Sequence, residues 1–106
     1  LEKELSEKYK VVKLTHLLPL PIFLDYSSTD TLGTDRIAAV AGAFHLYRGN
    51  NCLVIDVGSC ITYDIITSDG YYKGGAISPG VEMKLKSMHT FTARLPLLEH
   101  PEWWWE

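Results

Sequence analysis

The chain has little of what marks several large functional classes. Its two cysteines, Cys52 and Cys60, lack the spacing of a metal site or of a disulfide framework. They read as two small buried thiols of a reducing cytoplasm, and a pairing across a hairpin is the other reading. The four histidines are scattered without ligand spacing, so a transition-metal centre is not expected. There is no basic block: 10 Lys and Arg stand against 13 Asp and Glu, a net charge of -3, which gives nucleic-acid binding no support. No apolar run approaches the length of a membrane span. The best candidate, residues 17–24, is short and broken by Pro19 and Pro21. No secretory leader is visible in the charged first residues, so a cytoplasmic location is expected.

What is present suits a small packed α/β unit. Apolar residues make up 46% of the 106 residues, enough for a core and too many for disorder. The chain starts without methionine and ends in Trp103-Trp104-Trp105 with nothing following to bury the indoles, so a fragment of a larger protein is expected. Residues 1–10 are polar and helix-compatible, with Lys3–Glu7 and Glu4–Lys8 as i,i+4 pairs. Residues 11–14 read as a short strand, 21–26 as extended and 27–31 as a polar loop. A stripe of Ile37, Val40, Ala41, Phe44 and Tyr47 predicts a helix over 35–47, with Thr34 as N-cap and Arg48-Gly49-Asn50-Asn51 as the stop. Residues 52–57, 61–67 and 71–77 read as three strands. The links at Gly58 and Ser68-Asp69-Gly70 are too short for anything but antiparallel neighbours. A second helix is expected over 81–88, with Val81, Leu85 and Met88 on one face, followed by an extended 92–98 that Pro96 keeps out of a sheet interior.

Four clusters have the residue types that chemistry needs. In Gly33-Thr34-Asp35-Arg36, Asp35 suits the first turn of a helix, but Arg36 opposes the macrodipole there, and a broken local rule points towards a ligand. An Asp beside an Arg can take a proton from a hydroxyl nucleophile and clamp a carboxylate. Asp56-Val57-Gly58-Ser59 can aim amides and a hydroxyl at phosphate while the carboxylate meets a cation, or be a plain hairpin turn. Gly74-Gly75-Ala76-Ile77-Ser78-Pro79-Gly80 can let backbone approach a flat nucleotide, or be a bulged strand end. Tyr26, in a loop seven residues before Gly33, can reach over a substrate or pack half-buried.

Taken in order with Thr92-Ala93-Arg94-Leu95-Pro96, these motifs make the chain resemble the middle of a type III pantothenate kinase, from about residue 21 to 98. Each motif alone is unspecific; the set is specific. The resemblance implies a ribonuclease-H-like α/β fold of the actin and sugar-kinase superfamily. It implies a mixed sheet built on an antiparallel meander over about 52–77, with flanking helices. Residues 1–50 would close an N-terminal lobe and 51–106 would open a C-terminal one. It also implies transfer of the γ-phosphoryl group of ATP, with Mg2+ and a monovalent cation (K+ or NH4+), to the hydroxyl of pantothenate, in a homodimeric enzyme.

By position, Asp35 matches the general base. Tyr26, Gly33, Thr34 and Arg36 match substrate contacts, and Asp56 matches the cation ligand. Gly58, Ser59, Gly74, Gly75, Pro79 and Gly80 match the nucleotide side, with Ser59 where the family usually has threonine. The family's first phosphate loop and a later substrate-contacting threonine have no counterpart in these residues. The alternatives are a catalytically inactive regulatory protein on the same scaffold and another sugar or acetate kinase. Asp35, Arg36 and Asp56 favour the enzyme, and Tyr26 with Asp35-Arg36 favours pantothenate over a sugar.

Overall fold

A computed structural model describes residues 1–99. The order of elements is α1 (Glu2–Ser6), β1 (Phe23–Leu24), a short 3-10 turn (Thr29–Thr31), α2 (Thr34–Leu46), β2 (Cys52–Val57), β3 (Cys60–Ile66), β4 (Tyr71–Pro79) and α3 (Val81–Thr90). The four strands form one mixed sheet in the order β1-β4-β3-β2. β2, β3 and β4 are the expected antiparallel meander, and β1 adds to the β4 edge in parallel.

Sequence explains the meander well. Its links are too short for a crossover, and β-branched and aromatic residues fill its strands. At the second link Gly70 has φ +90° and its bare α-carbon rests on the Phe44 ring, so one glycine makes both the turn and the seat for α2. The Phe23 amide of β1 donates to Gly70 O (2.8 Å) and the amide of Asp25, just after the strand, to Tyr72 O (3.0 Å), which fixes the loop leading to Tyr26.

α2 lies on one face of the sheet. Ile37 and Val40 are fully buried and meet Ile22, Leu32, Ile66 and Tyr72, with Phe44, Cys52, Val54 and Tyr26 packed around them. Side chains paired across strands share a face. The register Cys52–Ile66, Val54–Asp64 and Asp56–Thr62 therefore puts Asp56 and Asp64 on the α2 side. The opposite face presents Leu53, Ile55, Val57 and Ile65 to solvent.

Several expectations need correction. Thr34 is the first residue of α2 rather than its N-cap; the cap is the backbone of Gly33, with no capping side chain. Tyr47 is exposed, because it is the C-cap and has left the helical phase (φ -119°). α1 stops at Ser6, so the Lys3–Glu7 and Glu4–Lys8 pairs do not form; Glu2 meets Lys13 instead, at 3.8 Å. Residues 11–14 form no strand, having no partner to pair with. The two thiols are not both buried: Cys60 is exposed at the strand start beside the turn, and Cys52 is partly covered. They do not face each other, since Cys52 pairs with Ile66 and Cys60 with Pro79. Residues 92–94 bend rather than run straight. The Thr92 hydroxyl donates to Met88 O (2.6 Å), His89 Nδ1 meets Leu95 O (2.8 Å), and Leu95 and Pro96 line a small cavity together with Leu85 and Met88. The expected tail Trp103-Trp104-Trp105 lies outside the described residues.

Candidate active site

At the head of α2, Asp35 is exposed and its carboxylate has no hydrogen bond or ion pair among the described residues. A Cβ on Gly33 would collide with Asp35 Oδ1, so the glycine clears the space that this carboxylate occupies. Gly33 and Asp35 are thus one feature.

Arg36 turns the other way. It is 9% exposed and holds Asp64 of β3 through two nitrogens: Nε donates to both carboxylate oxygens at 3.1 Å and Nη2 to Oδ1 at 2.5 Å. The compensation missing from the sequence argument is therefore Asp64, and Arg36 is not a side chain aimed wholly at a ligand. Nη1 makes no hydrogen bond among the described residues, and no buried side-chain nitrogen or oxygen there lacks a partner, so Nη1 reaches solvent. Hydrogen bonding to Asp64 holds the guanidinium above its ordinary range, against the opposing pull of burial.

Tyr72 completes the buried group. Its hydroxyl donates to Asp64 Oδ1 at 2.5 Å. Burial, and then that hydrogen bond, push the phenol well above its usual 10.0. The Tyr72 ring meets the Tyr26 ring at 6.2 Å between centroids. Tyr26 in turn lies over Gly74, which has φ +93° at a bulge that shifts the β3–β4 register and leaves the glycine bare beneath the ring. The two substrate contacts expected from sequence, Tyr26 and Arg36, are therefore joined through Tyr72 and Asp64. Sequence reasoning missed both connecting residues. The available signal was an acid at an inward position of the strand 60–66, level with Thr62 and Ile66, which demands a buried cation.

The other cluster forms at the sheet end. Gly58 and Ser59 link β2 to β3, with the Gly58 amide donating to Cys60 O (2.9 Å). The Gly80 amide donates to Ser59 O at 2.9 Å, and a Cβ on Gly80 would strike the carbonyl oxygens of Gly58 and Ser59. This close approach sets the head of α3 against the turn. Asp56, one strand step before it, is exposed, and its carboxylate too has no partner among the described residues. Gly74 and Gly75 were expected to make room for a nucleotide. Their missing side chains accommodate the fold itself, the Tyr26 ring and the Tyr63 carbonyl of β3 respectively. Among the described residues, no group of three or more His, Cys, Asp or Glu could hold a metal ion, and no helix is long and apolar enough to cross a membrane.

A family model described as type III pantothenate kinase matches residues 2–103. The chain is similar to proteins named type III pantothenate kinase in three bacteria. It is 53% identical over 98 residues to that of Christiangramia forsetii, covering 92% of this chain and 40% of that protein. Against Phocaeicola vulgatus it is 47% identical over 88 residues, 83% and 36% of the two chains. Against Bacteroides fragilis it is 52% identical over 80 residues, 76% and 33%. The chain thus spans 33–40% of the length of these relatives. With the motifs, their spatial grouping and a match along nearly the whole sequence in agreement, the chain belongs to the type III pantothenate kinase family.

Proposed function

We propose that the protein to which these residues belong phosphorylates pantothenate with ATP to give 4'-phosphopantothenate, the first step of coenzyme A synthesis. The observation that carries this reading is the unpartnered Asp35 carboxylate at the head of α2, one residue from an arginine with one nitrogen left open to solvent. Arg36 Nη1 faces the pantothenate carboxylate and Tyr26 covers the substrate. Thr34 adds a hydroxyl in the same turn. Asp35 accepts the proton of the primary hydroxyl as its oxygen attacks the γ-phosphorus and the bond to the ADP oxygen breaks. Such a transfer depends on positioning and charge neutralisation more than on covalent catalysis.

Gly58, Ser59, Pro79, Gly80 and the head of α3 form the nucleotide side, where a hydroxyl and free helix amides suit phosphate. Gly74 and Gly75 serve it at a remove, by keeping β4 against β3. Asp56 and the oxygen atoms of the adjoining turn are hard donors, the kind that suit Mg2+ or a monovalent cation such as K+ or NH4+. A cation held there offsets phosphate charge.

The same reading takes the scaffold as an actin-like kinase, with residues 1–50 closing one lobe and 51–106 opening the other. It also takes the enzyme as a cytoplasmic homodimer. Nothing observed favours the inactive regulator.

The test is ATP- and K+-dependent phosphorylation of pantothenate by the full-length gene product, beside its Asp35→Asn variant. Loss of a general base predicts a fall in kcat of at least about 100-fold. An intact, folded wild-type protein without activity would refute the proposal.

A further inference from the structure

The buried group of Arg36, Asp64 and Tyr72 does something that the substrate contacts alone do not account for. Arg36 sits on α2, Asp64 on β3 and Tyr72 on β4, so one carboxylate ties together three elements. It engages Nε and Nη2 and leaves Nη1. An arginine has several rotatable bonds, and a guanidinium held at two nitrogens has one orientation, which decides where the third nitrogen points. Tyr72 donates to the same Oδ1 that Arg36 engages, and its ring packs beside Tyr26, itself laid over Gly74.

We propose that Asp64 and Tyr72 are positioning residues for the carboxylate end of the acceptor substrate. Asp64 orients Arg36 so that Nη1 is presented to an anionic group. Tyr72 holds Asp64 and Tyr26 in register, so that clamp and cover move as one. This rests on the reading of Arg36 and Tyr26 as substrate contacts. The selectivity of the site for an acid over an uncharged analogue then depends on two residues that never touch the substrate.

The experiment is steady-state kinetics on the full-length gene product and its Tyr72→Phe, Asp64→Asn and Arg36→Gln variants, each first shown to be folded by circular dichroism. Pantothenate is compared with pantothenol, in which a primary alcohol replaces the carboxylate, and ATP is varied separately. Tyr72→Phe keeps the ring and removes only the hydroxyl, so it carries the test if Asp64→Asn does not fold. We expect both positioning variants to raise the KM for pantothenate by about tenfold, the scale of one lost charge-assisted hydrogen bond. The KM for ATP stays unchanged and kcat stays within about twofold, because Asp35 is untouched. The preference for pantothenate over pantothenol falls in proportion. If Arg36→Gln loses that preference while folded Tyr72→Phe and Asp64→Asn keep it, the clamp stands and the positioning role is overturned. If Arg36→Gln keeps the preference, the clamp itself is wrong and the inference falls with it. An equal rise in both KM values would show a general structural role and would also overturn it.

Discussion

Removing the Asp64 side chain should be among the most damaging single changes in this segment. Asp64 is 1% exposed and accepts three hydrogen bonds from Arg36 and one from Tyr72. In Asp64→Ala the guanidinium stays buried at two nitrogens without a counter-charge, and the Tyr72 hydroxyl loses its acceptor. Breaking a buried pair from one side costs about 3–5 kcal/mol, and an unsatisfied buried hydroxyl adds about 1–3 kcal/mol. Arg36 keeps one nitrogen in reach of water, which offsets part of this, so the expected loss is about 3–5 kcal/mol. The cost is mainly desolvation of the orphaned charge rather than lost attraction, and this gives the test its second arm. Adding Arg36→Met to Asp64→Ala removes that charge and should restore much of the stability. The assay is urea unfolding of the full-length protein followed by circular dichroism. With a slope of about 1–3 kcal/mol per M, the midpoint should drop by at least about 1 M in Asp64→Ala and recover in the double variant. A midpoint within about 0.3 M of wild type, or a double variant weaker than Asp64→Ala, would refute the reasoning.

Two further outcomes follow from the same geometry. The Tyr72 phenol is raised above its ordinary 10.0, so the unfolded chain loses this proton first as the solution becomes alkaline. The stability it contributes is complete below about pH 10 and declines as pH rises through the higher native value. Tyr72→Phe should flatten that alkaline decline in urea midpoints. In an absorbance titration, the wild-type-minus-variant difference should show no ionisation near pH 10 while the fold persists; a full phenolate step there would count against the burial described. Separately, Gly80→Ala would push its Cβ into the Gly58 and Ser59 carbonyls and move α3 off the turn. The KM for ATP should rise by about tenfold with the pantothenate KM little changed, and the reverse pattern would unseat the nucleotide side.

Local features of the chain announced much of its secondary structure. Ile37, Val40 and Phe44 at helical spacing predicted α2, and the Gly58 and Ser68-Asp69-Gly70 links required an antiparallel meander. Elements whose order depends on distant partners were less readable. The two-residue β1 exists because its own Phe23 and the Asp25 that follows it bond to Gly70 and Tyr72, and residues 11–14 had the pattern of a strand without a partner. Cys60 read as a buried small residue, yet its place at the strand start beside a turn exposes it.

The site divides along the same line. Asp35, Arg36, Asp56, Gly58 and Ser59 could be singled out in order along the chain, because residue type and spacing specify which groups can carry a proton, meet an anion or hold a cation. Where those groups face is a matter of pairing between segments far apart in sequence. Arg36 sat in a position that the helix dipole disfavours, and the sequence alone attributed this to a ligand. Folding supplies the larger reason, since Asp64, 28 residues away, would be a buried and unpaired carboxylate without it. The two glycines of β4 likewise read as room for a nucleotide, until β3 and Tyr26 packed into that room. Sequence by itself determined the inventory of chemical groups and the local elements bearing them, since both follow from residue type and short-range spacing. Tertiary structure alone decided which groups neutralise one another inside the fold and which remain open to a substrate, because burial and long-range pairing exist only once the sheet and α2 have come together.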